Sequence, residues 1–169
     1  MWDGIVEPNY PKAHSAHEAA HSICALQVGA VVRDVSIDRA SWAEWANSTP
    51  GPGQDAKNLL MNLVGQVAEN KALGKSSELP SYTEHRRLMV RDATEGGVPS
   101  DNMNTARSLA RLSESLEPEH VAEVYAAAAA ASVRWVEKNW ADIAKVATAL
   151  ERKGKLSGRE VEGLVRPAH

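Results

Sequence analysis

The stretch HSAHEAAHSICAL, residues 14 to 26, holds three of the chain's six histidines within eight residues, with one glutamate among them. Its alanines and the absence of any Gly or Pro make it a strong helix former. At about 100° per residue, His17 and His21 stand one above the other, about 40° apart, with Glu18 on the flank nearer His21. This is the H-E-x-x-H arrangement: two imidazoles able to chelate one zinc, and a carboxylate placed to take a proton from water on the metal. Histidines four apart also decorate or cap helices with no metal present. The intact glutamate and the apolar ICAL that follows weigh toward a metal site.

Around that helix the sequence reads as one mainly helical domain with a small β-sheet, an α+β fold spanning residues 1–169. Residues 1–12, with Pro8 and Pro11, read as an N-terminal arm, and a helix follows from Lys12 to Val28, ended by Gly29. The β-branched, alternating AVVRDVSID predicts a strand over Val31–Asp38, and RASWAEW a second short strand returning beside it. Residues 39–54 are otherwise loop or edge strand, rich in Pro and Gly around NSTPGPGQD. A helix starts near Asp55 with Leu59, Leu60, Leu63, Val64 and Val67 at helical period, closed by Gly74. Residues 74–100 form a variable segment with a short helix over Tyr82–Ala93. Further helices are expected over Asn102–Ser113 and from Glu117 to Lys153, the latter broken near Asn139. A last short helix is capped by Ser157, with Glu160 in capping-box position. LGKSS mimics the end of a phosphate-binding loop, but the glycine that motif needs five residues before Gly74 is Glu69, so no ATP site is implied.

Net charge is −3, and the basic residues are dispersed, which points away from nucleic acid and from an anionic membrane surface. A single cysteine, Cys24, excludes an internal disulfide and suits a reducing cytoplasm. MWDGIVEPNY lacks a basic region followed by an apolar run, so no signal peptide is expected, and VYAAAAAASV is too short to span a bilayer.

A catalytic zinc site wants a third protein ligand and an open position. His14 lies one turn before His17 but about 10 Å along the axis from His21, which makes it a poor candidate. Cys24 reads as a small buried packing residue. His85, His120 and His169 fall in segments that read as exposed. Two carboxylates remain. Glu69 stands on a helix whose apolar face must pack on something, and Asp101 opens a helix, where an ordinary N-cap is the competing explanation. Spacing alone does not choose between them.

The order of segments resembles the peptidase domain of FtsH-type ATP-dependent zinc metalloproteases. AHEAAHSICAL is similar to that family's H-E-A-G-H helix, and GAVVRDVSID to the strand after it. LLMNLVGQVAENKALG resembles its L-x-G-x-x-A-E helix, and GGVPSDNMNTARSLARL its aspartate-bearing ligand helix. WVEKNWADIAKVATALERKGKLSGREVEGLV resembles its closing helices. Only H-E-x-x-H is specific by itself; five segments in order, over about residues 13 to 165, carry the resemblance. It implies a helical zincin-type fold, Asp101 as third zinc ligand, and Glu69 as a supporting residue that orients a ligand histidine. Ala20 replaces a family glycine. One extra residue between Asp101 and Ala106 brings Asn102 into competition for the aligned place, but Asn is a poor zinc ligand and Asp101 is retained. No counterpart of the family's membrane anchor or ATPase module is expected.

The expectation is therefore a cytoplasmic zinc metalloendopeptidase working without ATP on unfolded or exposed polypeptide, with Glu18 as general base and His17, His21 and Asp101 on Zn²⁺. Its partners are a polypeptide substrate and no nucleic acid or membrane; a homo-oligomer is allowed. The substrate is expected to add as a strand along RASWAEW or VVRDVSID, with Trp42 and Trp45 lining the groove. Two alternatives stand beside it: a regulatory peptidase with one protein target, and a non-catalytic helical interaction module holding a structural metal.

Overall fold

The computed structural model describes residues 10–37, 40–42, 51–94 and 101–165. In chain order these form α1 (Tyr10–Gln27), β1 (Val32–Ser36), β2 (Ala40–Trp42), α2 (Pro52–Ala72), α3 (Tyr82–Thr94), α4 (Asp101–Ser113), α5 (Pro118–Lys153), β3 (Lys155–Ser157) and α6 (Gly158–Val165). The fold is mainly helical with a small antiparallel sheet, as the sequence pattern predicts. No described helix is long and apolar enough to cross a membrane.

Helix α1 is the centre of the molecule. Ala16, Ala19, Ala20, Ile23, Cys24 and Ala25 are all buried, and so are the polar Ser15, Glu18, His21 and Ser22 between them. A helix buried nearly all round must be enclosed by neighbours rather than laid on one face. Helices α2 and α5 pack against it, contributing Val64, Val67 and Ala68 from the first and Val136, Ile143, Val146 and Leu150 from the second. The small α1 side chains allow that close approach. Each large aliphatic side chain buried there contributes about 1.5–3 kcal/mol.

A second cluster fixes α4. Leu59 and Leu63 of α2, Leu109 and Leu112 of α4, and Val121 and Tyr125 of α5 pack together. The Arg111 Nε–H donates to Asp55 Oδ1 at 2.6 Å, tying α4 to the start of α2. Because α4 is held at Leu109 and Leu112, its first residue, Asp101, is carried to the flank of α1.

The sheet runs β2-β1-β3, both pairings antiparallel, with Val35 opposite Ala40 on one side and Leu156 on the other. Strand β3 was not legible: three residues after a long helix carry no alternation, and only the pairing with β1 makes them a strand. Helix α5 is unbroken at Asn139, contrary to the sequence expectation. The Asn139 Nδ2–H donates to the Trp135 carbonyl one turn back, and its Oδ1 accepts from Gln27 Nε2 at 2.8 Å, so the residue brackets α5 to α1 without interrupting the backbone. At α6 the capping box is present: the Ser157 N–H donates to Glu160 Oε2, and the Glu160 N–H to Ser157 Oγ.

Candidate metal centre

Helices α1 and α2 run antiparallel through the site. On α1, His17 and His21 share a face. On α2, Met61, Gly65 and Glu69 recur every four residues and form the facing row. Each histidine meets one end of that row. The His21 Nδ1–H donates to the Met61 carbonyl at 2.8 Å, and the His17 Nδ1–H donates to Glu69 Oε2 at 3.0 Å.

With both Nδ1 atoms committed as donors, the two Nε2 atoms turn toward each other at 3.0 Å. Asp101 Oδ2 completes a triangle, 2.8 Å from His17 Nε2 and 2.9 Å from His21 Nε2. These are the three side chains among the described residues whose donor atoms gather as a metal would require. Two neutral Nε2 lone pairs and a carboxylate oxygen at such distances repel one another. A cation, or a proton on one imidazole, must lie among them. Two imidazoles and a carboxylate fit the donor set of a catalytic zinc site with a position left open.

Gly65 makes room for the triangle. A Cβ added there would lie 2.7 Å from His21 Cε1 and 2.9 Å from His17 Nε2, and closer still to His21 Nε2. Any larger residue would enter the space between the ligands. Gly65 is the glycine of the L-x-G-x-x-A-E segment, but neither it nor the Met61 carbonyl has a role assigned from sequence. A glycine inside a helix, four residues before Glu69, is the signal that could have found them.

Without a metal, protons take over the charge balance. Burial pushes the His17 imidazole down, but its hydrogen bonds to Asp101 and Glu69, with the charges of Asp101 and Glu18, outweigh this and carry it up to about 10. Burial pushes the Asp101 carboxyl up, and the charges and hydrogen bonds of His21 and His17 overcome that to hold it well below the usual carboxylate range. Glu69 is lowered by its bond from His17.

The remaining candidates fall into place around this triangle. Glu18 is 6 % exposed, on α1 between the two histidines, with Oε1 3.8 Å from His14 Nε2. The ring of His14 stands 5.9 Å from that of His17 and belongs to no ligand group. Cys24 is fully buried, and burial pushes its thiol up to about 12, which leaves it inert. His85 corrects the expectation of exposure: it is buried, its ring 5.3 Å from Tyr125, because α3 folds back over the second core cluster. His120 is exposed, and His169 lies outside the described residues.

The expected strand groove is also partly corrected. β1 is flanked on both edges, by β2 and β3, so its backbone offers no free edge to a substrate strand. β2 and β3 are the outer strands. Trp42 pairs with Val32 through the backbone, while the Trp42 side chain and all of Trp45 lie outside the described residues. The site instead opens at Asp101, whose side chain is 33 % exposed against 3 % for His21. A cleft of about 670 Å³ begins there, between α2, α4, α3 and the segment leading into α3.

Compared with protein-family models and with curated proteins, the chain matches none. The FtsH-type resemblance rests on the sequence segments quoted above.

Proposed function

We propose that this chain is a zinc-dependent endopeptidase that hydrolyses peptide bonds in unfolded or exposed protein segments, without ATP, in the cytoplasm. The observation that carries the reading is the convergence of His17 Nε2, His21 Nε2 and Asp101 Oδ2 on one point, with buried Glu18 on the same helix. Zinc held there would supply Lewis acidity, bringing the pKa of a bound water toward about 7 and stabilising negative charge on a carbonyl oxygen.

The chain's own residues do the rest. Met61 and Glu69 hold the two imidazoles in the tautomer that presents Nε2, so no ligand has to reorient. Glu18 acts as the base: it takes a proton from the attacking water and returns it to the departing amine. Its burial beside the histidines holds the carboxylate out of bulk water. A purely structural metal site would have no use for Glu18.

The test is Glu18→Gln, which keeps the side chain's size and removes the base. Zinc content and thermal midpoint should match wild type, while cleavage of denatured casein falls by roughly 10²-fold or more. Equal cleavage by both proteins would assign the activity elsewhere. Zinc-loaded wild type that cleaves no unfolded protein would favour the interaction module.

A further inference from the structure

The cleft that begins at Asp101 is walled on the α2 side by three carboxamides, Asn62, Gln66 and Asn70. They recur every four residues, one position on from Met61, Gly65 and Glu69, so they form the row next to the one facing the histidines. Gln66 Nε2–H donates to Asn70 Oδ1 at 3.1 Å, which orients both amides and leaves each an N–H donor and an acceptor lone pair. Across the cleft, on α4, stands Thr105. It is 1 % exposed, and its hydroxyl has no hydrogen-bond partner among the described residues. A buried polar group in that condition costs about 1–3 kcal/mol until something satisfies it. Leu63 and Leu79 add apolar surface to the lining.

From this arrangement we propose that the cleft binds an extended segment of polypeptide, with the carboxamide row of α2 reading its main chain. The proposal rests on the peptidase reading for its purpose, and on geometry for its content. Side chains four apart on a helix are spaced about 6 Å along the axis. In an extended chain, peptide groups on one side recur about every 6.6 Å. A carboxamide offers a donor and an acceptor side by side, the complement of a peptide group. A ladder of amides at that pitch therefore matches successive main-chain groups of a strand-like segment and is indifferent to its side chains. The Thr105 hydroxyl meets a further polar group of the segment, and Leu63 and Leu79 receive a neutral side chain. The cleft's shared residue, Asp101, places the bound segment next to the metal ligands.

The experiment uses the zinc-loaded full chain and a fluorescein-labelled, permanently unfolded probe, reduced and carboxymethylated lysozyme, read by both anisotropy and cleavage. Gln66→Ala/Asn70→Ala alters side chains that are not buried, and Thr105→Val is isosteric; both should keep wild-type zinc content and thermal midpoint. Each should weaken probe binding, and the double variant should do so roughly tenfold, as KM rather than kcat. Gln54→Ala/Asn58→Ala removes a similar hydrogen-bonded amide pair on the same helix outside the cleft, and should change neither. Cleft variants that bind and cleave like wild type overturn the proposal and leave the peptidase reading intact. Binding weakened by the cleft variants, with no cleavage by any protein, upholds the proposal and overturns the peptidase reading. A wild type that neither binds nor cleaves the probe overturns both.

Discussion

Replacing Gly65 by alanine adds one methyl group at the place where the two ligand histidines come closest to α2. Helix propensity alone favours the change, by about 1 kcal/mol at an interior position. The space does not. The new Cβ would meet His21 Cε1 at 2.7 Å and Nε2 closer still, whereas ordinary contact begins at 3.4 Å, so the ring must retreat by more than about 0.7 Å. The tip of a histidine can usually move that far at small cost. This one is pinned by its Nδ1–H bond to the Met61 carbonyl at 2.8 Å, and His17 Nε2 is crowded from the same side. A metal site tolerates ligand displacements of only about 0.2 Å. Zinc affinity should therefore fall at least about 100-fold, the upper end of what losing a ligand's supporting partner does. Overpacking of about 1–3 kcal/mol set against the gain in propensity leaves the metal-free fold about 0–2 kcal/mol less stable than wild type. The assay is competition against a chromophoric zinc chelator, with thermal melts in EDTA on the same samples. Zinc affinity within threefold of wild type, together with a raised melting temperature, would refute the steric argument and with it the role assigned to Gly65.

Other outcomes follow from the same geometry. Asp101→Ala should abolish most zinc affinity, while Glu69→Gln should retain the metal and lose roughly 10–100-fold in activity, and equilibrium dialysis with a cleavage assay separates the two. Because the metal-free His17 is carried up to about 10, zinc binding at pH 7 should expel about one proton, measurable by calorimetry in buffers of different ionisation enthalpy; no release would contradict the proton shared with Asp101. In the metal-free protein, the His17 contribution to stability is complete below its unfolded value of 6.5 and is lost as pH rises toward about 10. Those of Asp101 and Glu69 are present above 3.8 and 4.5 and vanish in acid. EDTA-treated protein should accordingly be most stable between these limits and weaken by pH 10, and a melting temperature flat over pH 6–10 would count against the pairing. Gly158→Ala drives a Cβ into the Val32 backbone carbonyl, which cannot swing aside, so it should destabilise the fold by about 2 kcal/mol or more in chemical denaturation, with or without zinc.

Local chemistry made part of this protein readable without coordinates. The face shared by His17 and His21 follows from helical geometry, and the helices of α1, α2, α4 and α6 were legible from period, Gly and Pro punctuation and the Ser157–Glu160 box. These depend on residues within a turn or two of one another. The third ligand was different in kind. Glu69 and Asp101 are 52 and 84 residues from His17, and nothing local tells which side of the imidazole each will meet. Packing decides it: α2 lies antiparallel to α1 and delivers Glu69 to Nδ1, while the Leu109–Leu112 cluster seats α4 so that Asp101 reaches Nε2. The pairing of β3 with β1, which closes one of the two strands expected to receive substrate, is equally non-local. So is the burial of His85 under Tyr125, and so is the need for a glycine at position 65. A sequence encodes directly what one turn of backbone can bring together; contacts between distant segments exist only once the cores between helices have set their orientation.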